Sequence, residues 1–252
     1  MDVDAYLDRL GLGRPARADV DSLRELHERH LTTVPFENLD VHLGERIEFT
    51  EDALFDKIVR RRRGGVCYEL NAAFALLLRE LGFEVSLLAA KPYDEGRGFG
   101  WPFEHLALRV DLGEPWLADI GVGRFIRHPL RMNARGVQHD PEGEFRVIDA
   151  ANGDLDVIHD GTVKFRLETR ARQLSEFTPT WWWHSTSPDS FIGKQPLCAI
   201  TTANGRVALM GDRLIETVDG ERVERILDDR EILEVYRTRF GVSLDRLPAR
   251  DR

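Results

Sequence analysis

Cys67, His105 and Asp119 are the residues whose types and order suit nucleophilic catalysis: a thiol to attack, an imidazole to move its proton, and a carboxylate to hold the imidazole. Cys67 sits in Arg63-Gly64-Gly65-Val66-Cys67-Tyr68-Glu69-Leu70-Asn71, just where a loop becomes a helix. Phe74, Leu77, Leu78 and Leu81 recur at helical spacing and Gly82 ends the pattern, so Cys67 falls in or just before a first turn. Unpaired N–H groups and the helix dipole favour an anion there, hence the thiolate. A lone cysteine is by default a small core hydrophobe. Two preceding glycines, which permit close backbone approach or positive φ, are not needed by an inert one.

The partners must come from strands. Leu106, Leu108 and Val110 alternate with Ala107 and Arg109, so His105 begins a strand after the Gly- and Pro-containing loop Pro92 to Pro102. Trp116 to Ile120 forms a second apolar run, which places Asp119 on a neighbouring strand beyond the turn Asp111 to Pro115. Two antiparallel strands then hold His105 beside Asp119 while the helix start presents Cys67.

Around these elements the chain divides by pattern. Stripes at Val3, Tyr6, Leu7 and Leu10, at Leu23, Leu26, His27, His30 and Leu31, and at Leu54, Phe55, Ile58 and Val59 after a Thr50 cap give a helical bundle over 1–82. His27 and His30 share a face without an acidic partner at metal spacing and read as boundary residues; no metal site is expected. Short alternating runs at Val85 to Ala90, Glu144 to Ile148, Leu155 to His159 and Val163 to Leu167 join those at His105 and Asp119 in an antiparallel sheet or barrel over 83–169. Residues 170–192 read as a linking helix and loop. Hairpin patterns around Asn204-Gly205 and Asp219-Gly220, then a closing helix marked by Ile232, Leu233, Val235 and Tyr236, complete a lobe over 193–252. The periodicities by themselves give an α+β chain.

With 252 residues, 42% of them hydrophobic, the chain can bury a sizeable core. It has no apolar run near the roughly 20 residues that span a membrane, and its acidic start is unlike a secretory signal, so cytoplasm is the default and no membrane partner is expected. A net charge of −9 argues against nucleic acid. Cys198, in the apolar Leu197-Cys198-Ala199-Ile200, reads as core, and a disulfide with Cys67 is not expected in a reducing compartment. Arg60 to Arg63 reads as a solvated helix end.

The Cys67 motif, together with Val34-Pro35-Phe36-Glu37-Asn38-Leu39, Asp119-Ile120-Gly121-Val122-Gly123 and Ser185-Thr186-Ser187-Pro188-Asp189-Ser190-Phe191, resembles the arylamine N-acetyltransferases over most of the chain. The resemblance implies a helical bundle, a central β-barrel and a C-terminal α/β lid, around a core like that of cysteine proteases and transglutaminases. It implies Cys67, His105 and Asp119 as nucleophile, base and orienting acid, with Glu37 and Asn38 bracing the site. Acetyl-coenzyme A would be a co-substrate, no cofactor being permanently bound, and a small-molecule arylamine the acceptor. The carry-over assigns Gly121, Gly123, Thr186 and Ser190 to the cofactor, and Phe36, Val122 and Phe125 to the substrate pocket. Arg61, Arg62, Arg124, Arg127 and Lys194 are candidates for the coenzyme phosphates, and a homodimer is compatible with the pattern. Glu104 replaces a small hydroxyl residue, Val122 an aromatic one, and Trp181-Trp182-Trp183-His184 a more polar stretch; core packing is the plainer reading of the tryptophans. The triad alone leaves open a macrolactam-forming amide synthase, a protease or transglutaminase, and a binder that keeps only the scaffold.

Overall fold

A computed structural model describes residues 1–122 and 125–249. Helix α1 (Val3–Leu10) is capped by Asp2, which accepts the Ala5 N–H, and Gly11 closes it with φ 69°. In α2 (Val20–Thr33), Leu23, Leu26, His27, His30 and Leu31 turn inward. A short strand β1 (Phe36–Glu37) and α3 (Leu39–Leu43) follow. Thr50 caps α4 (Glu51–Phe55), which runs into a π-helical turn, Asp56–Arg60. Helix α5 (Cys67–Glu80) packs its apolar side against the others and against the sheet.

Strands β2 (Glu84–Asp94), β3 (Gly98–Phe99), β4 (His105–Asp111), β5 (Pro115–Ala118), β6 (Leu130–Arg131), β7 (Gln138–Asp140), β8 (Gly143–Asp149), β9 (Leu155–His159) and β10 (Thr162–Leu167) form one sheet. Its order is β6-β5-β4-β2-β10-β9-β8-β7, with β3 on β2, and every described pairing is antiparallel. It curls into a nearly closed barrel. Leu88, Ala107 and Leu117 face Phe125, Phe145 and Val157 in one core, while Leu87, Leu106 and Leu108 of the same strands face the helices in another. Strand alternation thus assembles two cores from one sheet.

Helices α6 (Thr178–Thr186) and α7 (Phe191–Lys194) lead to β11 (Leu197–Thr202), β12 (Gly205–Met210), β13 (Arg213–Val218) and β14 (Glu221–Ile226). Helix α8 (Asp229–Phe240) lays Ile232, Val235, Tyr236 and Phe240 against Cys198, Leu209 and Leu214 in a third core. Leu39 and Leu43, from the segment read as bundle, also belong to it, and β1 pairs with β11 through Phe36↔Ala199 and Glu37↔Cys198. Strand β14 completes the hairpin expected at Asp219-Gly220, although Glu-Arg-Val-Glu-Arg-Ile has no buried residue to set a pattern; it is the exposed edge of the sheet. No described helix is long and apolar enough to cross a membrane.

Candidate active site

Cys67 is the first residue of α5, preceded by an extended Val66 whose N–H is accepted by Glu69 Oε2 at 3.0 Å. Gly64 and Gly65 are required for proximity, since neither has positive φ. A Cβ on Gly64 would lie 1.9 Å from the Pro35 carbonyl oxygen, and one on Gly65 2.8 Å from Glu69 Cβ. The loop is thereby pressed against β1, where Glu37 donates its N–H to the Gly65 carbonyl at 2.9 Å.

Beneath the loop lies a buried charge cluster. The Lys57 ammonium is 2.7 Å from Asp40 and 2.8 Å from Glu69. Arg63 reaches Asp40 at 2.6 Å and Glu37 at 2.8 Å, so the reading of Arg60 to Arg63 as a solvated end fails at Arg63, which is buried. Burial works against both cations, but the surrounding carboxylates more than offset it and raise Lys57 and Arg63. Burial also raises the Glu69 carboxyl, against the pull of Lys57. Removing one partner would strand unpaired charge at a cost of about 3–5 kcal/mol. Because Glu69 also holds the Val66 N–H, the cluster anchors the residue before Cys67. Asn38 ties the same region to the last lobe, donating to the Ile192 carbonyl at 2.7 Å and accepting the Leu197 N–H at 2.7 Å.

His105 opens β4 as expected, and its Nε2 lies 2.7 Å from Asp119 Oδ2. Asp119 is not on a strand: pairing of β4 with β5 ends at Leu108↔Ala118. The reason is that backbone N–H groups here bond side chains. Asp119 N–H goes to His27 Nε2 at 3.1 Å, Ile120 N–H to Asn71 Oδ1 at 3.1 Å, and Gly121 N–H to Asp119 Oδ1 at 2.9 Å. Asn71 Nδ2 also donates to Asp119 Oδ1, at 3.0 Å. Burial alone would lower His105, but the charge and hydrogen bond of Asp119, then those of the Cys67 sulfur, raise it to about 10. Burial likewise raises Asp119, yet His105, Asn71 and Gly121 outweigh it and hold the carboxyl below the usual range. Nε2 being taken by Asp119, Nδ1 is the ring nitrogen left for the sulfur. The pair is therefore imidazolium and carboxylate at neutral pH, with the Cys67 sulfur beside it.

Cys67 and His105 line a cavity of about 640 Å³ whose wall includes Phe36, Val122, Phe125, Phe165 and Trp181. All three residues assigned to the substrate pocket are on that wall, as is Gly121. Thr186 and Ser190 are not among the described lining residues. The Thr186 hydroxyl donates to the Trp182 carbonyl at 2.6 Å, and Ser190 Oγ caps α7 and meets His184 Nδ1 at 3.0 Å. Gly123 and Arg124 lie outside the described residues. Of the other proposed phosphate ligands, Arg61 pairs with Asp56, Arg127 is buried against Glu142 and the Thr202 carbonyl, and neither these nor Arg62 and Lys194 line the cavity. Its described cations are Arg97, Lys164 and Arg206. Lys164 sits where the β9–β10 register slips between Val163 and Phe165, a bulge of the kind that re-aims a side chain. Glu104 is on the wall too, but Arg97 and the Trp101 N–H, at 3.1 and 2.8 Å, bind its carboxylate. The tryptophans divide: Trp181 is buried on the wall and Trp182 is 67% exposed.

Comparison with known proteins agrees with this geometry. The N-acetyltransferase family model matches residues 19–248. An arylamine N-acetyltransferase of Mycolicibacterium smegmatis is 32% identical, over 100% of this chain and 95% of its own. The chain belongs to the arylamine N-acetyltransferase family. It is an acyltransferase by that membership. The solved structure of the M. smegmatis arylamine N-acetyltransferase superposes with a TM-score of 0.89 at 31% identity, covering 97% of this chain and 93% of that one. A Mycobacterium marinum arylamine N-acetyltransferase solved in complex with CoA gives 0.87 at 29% identity, covering 96% and 93%.

Gly121, the first glycine of Gly121-Val122-Gly123, is explained by contact. A Cβ there would stand 2.8 Å from both Cα and Cβ of Cys67 and 2.5 Å from Asn71 Nδ2. Gly121→Ala should therefore displace the sulfur or the Asn71 amide and lower acetyl transfer by about 100-fold. Steady-state rates, with a melting curve to exclude unfolding, decide it; a variant within threefold of the parent would refute the argument.

Sequence reading missed His27 and Asn71 as partners of Asp119. His27 was read as a boundary residue, and Asn71 only as a polar member of the first turn. Burial is the main cause holding His27 to about 4 and His30 to about 3, and it lowers His184 as well. These depressed values have a defined sign. The neutral His27 and His30 rings support the fold fully above about pH 6.5, and that support is lost as pH falls toward 4, by about 1.4 kcal/mol per pH unit for each of the two. His105, raised, is charged in both folded and unfolded chains at the lower end of that window and adds little slope; Glu69, also raised, offsets part of the loss near its acid end. Urea midpoints should fall between pH 6.5 and 4.5, and less steeply in His30→Phe. A flat profile would contradict the buried neutral rings.

Proposed function

We propose that the protein transfers an acetyl group from acetyl-coenzyme A to the nitrogen of an arylamine or arylhydrazine in two half-reactions through acetyl-Cys67. The Cys67 thiolate attacks the thioester carbonyl, and a backbone N–H of the first turn of α5 stabilises the oxyanion. The bond from the carbonyl carbon to the coenzyme sulfur breaks, and His105 returns a proton to that sulfur. The acceptor nitrogen then attacks the acetyl-cysteine, neutral His105 takes its proton, and the bond to Cys67 breaks to restore the thiolate. Asp119 holds the ring with Nδ1 toward the sulfur and stabilises its cation.

One observation carries this reading: Cys67 and the His105 ring share the wall of a cavity that also presents the aromatic rings of Phe36, Phe125, Phe165 and Trp181. Flat apolar acceptors suit such a wall. Family membership supplies the acetyl donor, and Gly121 at the sulfur leaves room for the thioester. Among the cations of the cavity wall, Lys164 is the candidate for a coenzyme phosphate, Arg97 being engaged by Glu104.

Intact mass after mixing with acetyl-coenzyme A, without acceptor, should rise by one acetyl group, and peptide mapping should place it on Cys67. Adding an arylamine should remove it and yield the acetylated amine. No mass gain, or an acetyl group elsewhere, would defeat the proposal.

A further inference from the structure

Asp119 is held by its backbone as well as its carboxylate. Its N–H points to His27 Nε2, 3.1 Å away, and the other ring nitrogen, Nδ1, is 2.9 Å from the Arg127 carbonyl oxygen. An N–H can only donate and a carbonyl oxygen can only accept. The His27 ring must therefore carry its proton on Nδ1 and a lone pair on Nε2, a single neutral tautomer. The ring is fully buried with its edge on Phe74 at 6.2 Å between centroids. Asp119, Asp140 and His128, with His30 on its own helix, are the titratable groups around it. Burial outweighs the two carboxylates and keeps it uncharged down to about pH 4.

We propose that His27 is a positioning residue for acyl transfer, ending the β5 ladder at Ala118 so that the Asp119 carboxylate turns to His105. From α2 it reaches two places at once. One is the acid that orients His105. The other is Arg127, whose guanidinium is itself fixed by Glu142 and the Thr202 carbonyl. The hydrogen bond to Asp119 replaces a strand partner, and without it that buried N–H would have none among the described residues. The aspartate would then be free to settle back toward the strand, lengthening its 2.7 Å contact with His105. The inference rests on reading Cys67, His105 and Asp119 as the reacting set.

His27→Phe and His27→Gln separate positioning from mere packing. Phenylalanine keeps a flat ring and loses both hydrogen bonds; glutamine retains an acceptor for the Asp119 N–H. Three properties would be followed: melting temperature, the rate of acetyl-Cys67 formation, and the pH profile of Cys67 alkylation by iodoacetamide. The phenylalanine variant should acetylate about 10–100-fold more slowly, the usual size for losing a group that orients a reacting one. The upper limb of its alkylation profile, governed by His105 near 10, should move down by about one pH unit or more. Glutamine should restore most of both. If His27→Phe melts lower but keeps the parent profile and rate, the role is only structural and the proposal is overturned. If it does not fold, His27→Asn, too short to meet both partners, carries the same comparison against His27→Gln. A parent protein that forms no acetyl-Cys67 would sink the acyl-transfer reading; one that does, with every variant matching it, would sink only the role of His27.

Discussion

Cys67→Ala is expected to reduce acetyl transfer by about 10⁴-fold or more, the scale on which a covalent mechanism fails when its nucleophile is deleted. No other group stands ready to replace it. Cys198 is the second cysteine of the chain, but it is fully buried in β11, where burial first and the Glu37 charge second push its thiol well above the ordinary range. His105 would remain, charged and paired with Asp119, but with nothing to activate. Cys67 is only partly buried at the first position of α5 and does not cap that helix, so its loss should change stability by no more than about 1 kcal/mol. Turnover with an arylamine and intact mass after exposure to acetyl-coenzyme A should both be null while the melting curve stays near that of the parent. Retention of more than about one per cent of activity, or an acetyl group on Cys198, would mean the nucleophile has been misassigned.

Asp119→Asn should cost nearly as much, about 10³ to 10⁴-fold, by a different route. Asp119 Oδ1 accepts from both Asn71 Nδ2 and Gly121 N–H, so only the oxygen of an asparagine can face those donors. Its amide NH₂ is then forced toward His105 Nε2, which must offer a lone pair there and carry its proton on Nδ1, on the side of the sulfur. That is the wrong tautomer for taking a proton from Cys67. The loss of charge adds to it. Burial is the largest influence on His105 and acts downward; without the carboxylate it is no longer outweighed, and the ring falls from about 10 toward or below its free value. The cationic ring that stands beside the Cys67 sulfur through neutral pH in the parent would then persist only in acid. A kcat/KM profile from pH 6 to 10 should be depressed throughout, and alkylation of Cys67 should lose its dependence on His105. Activity within tenfold of the parent would show that the carboxylate is not the orienting acid.

The features legible in the sequence were those written in local pattern. The stripe from Phe74 to Leu81 gave α5, and alternation after His105 gave β4, so two of the three reacting groups could be placed on elements without coordinates. Asp119 was assigned to the right neighbourhood but the wrong element, because the partner that ends its strand is His27, 92 residues earlier. Periodicity carries no trace of such a contact. Arg63 failed for a related reason: a run of four arginines reads as solvated, and only the fold brings Glu37 and Asp40 to the last of them. Of the cations chosen from sequence, Arg61, Arg62, Arg127 and Lys194 do not line the cavity, because charge density along the chain does not say which side chains face it. Lys164 reaches the wall through a register slip that alternation could not reveal.

The pairing of β1 with β11 has a consequence for how the molecule comes into being. The strand beside the Cys67 loop finds its neighbour some 160 residues later, and Asn38 waits for Ile192 and Leu197. During synthesis the loop therefore lacks its final support until the last quarter of the chain has left the ribosome. The reactive sulfur would be assembled late, when the walls that confine it already exist, and a prematurely terminated chain would carry a thiol without a chamber around it.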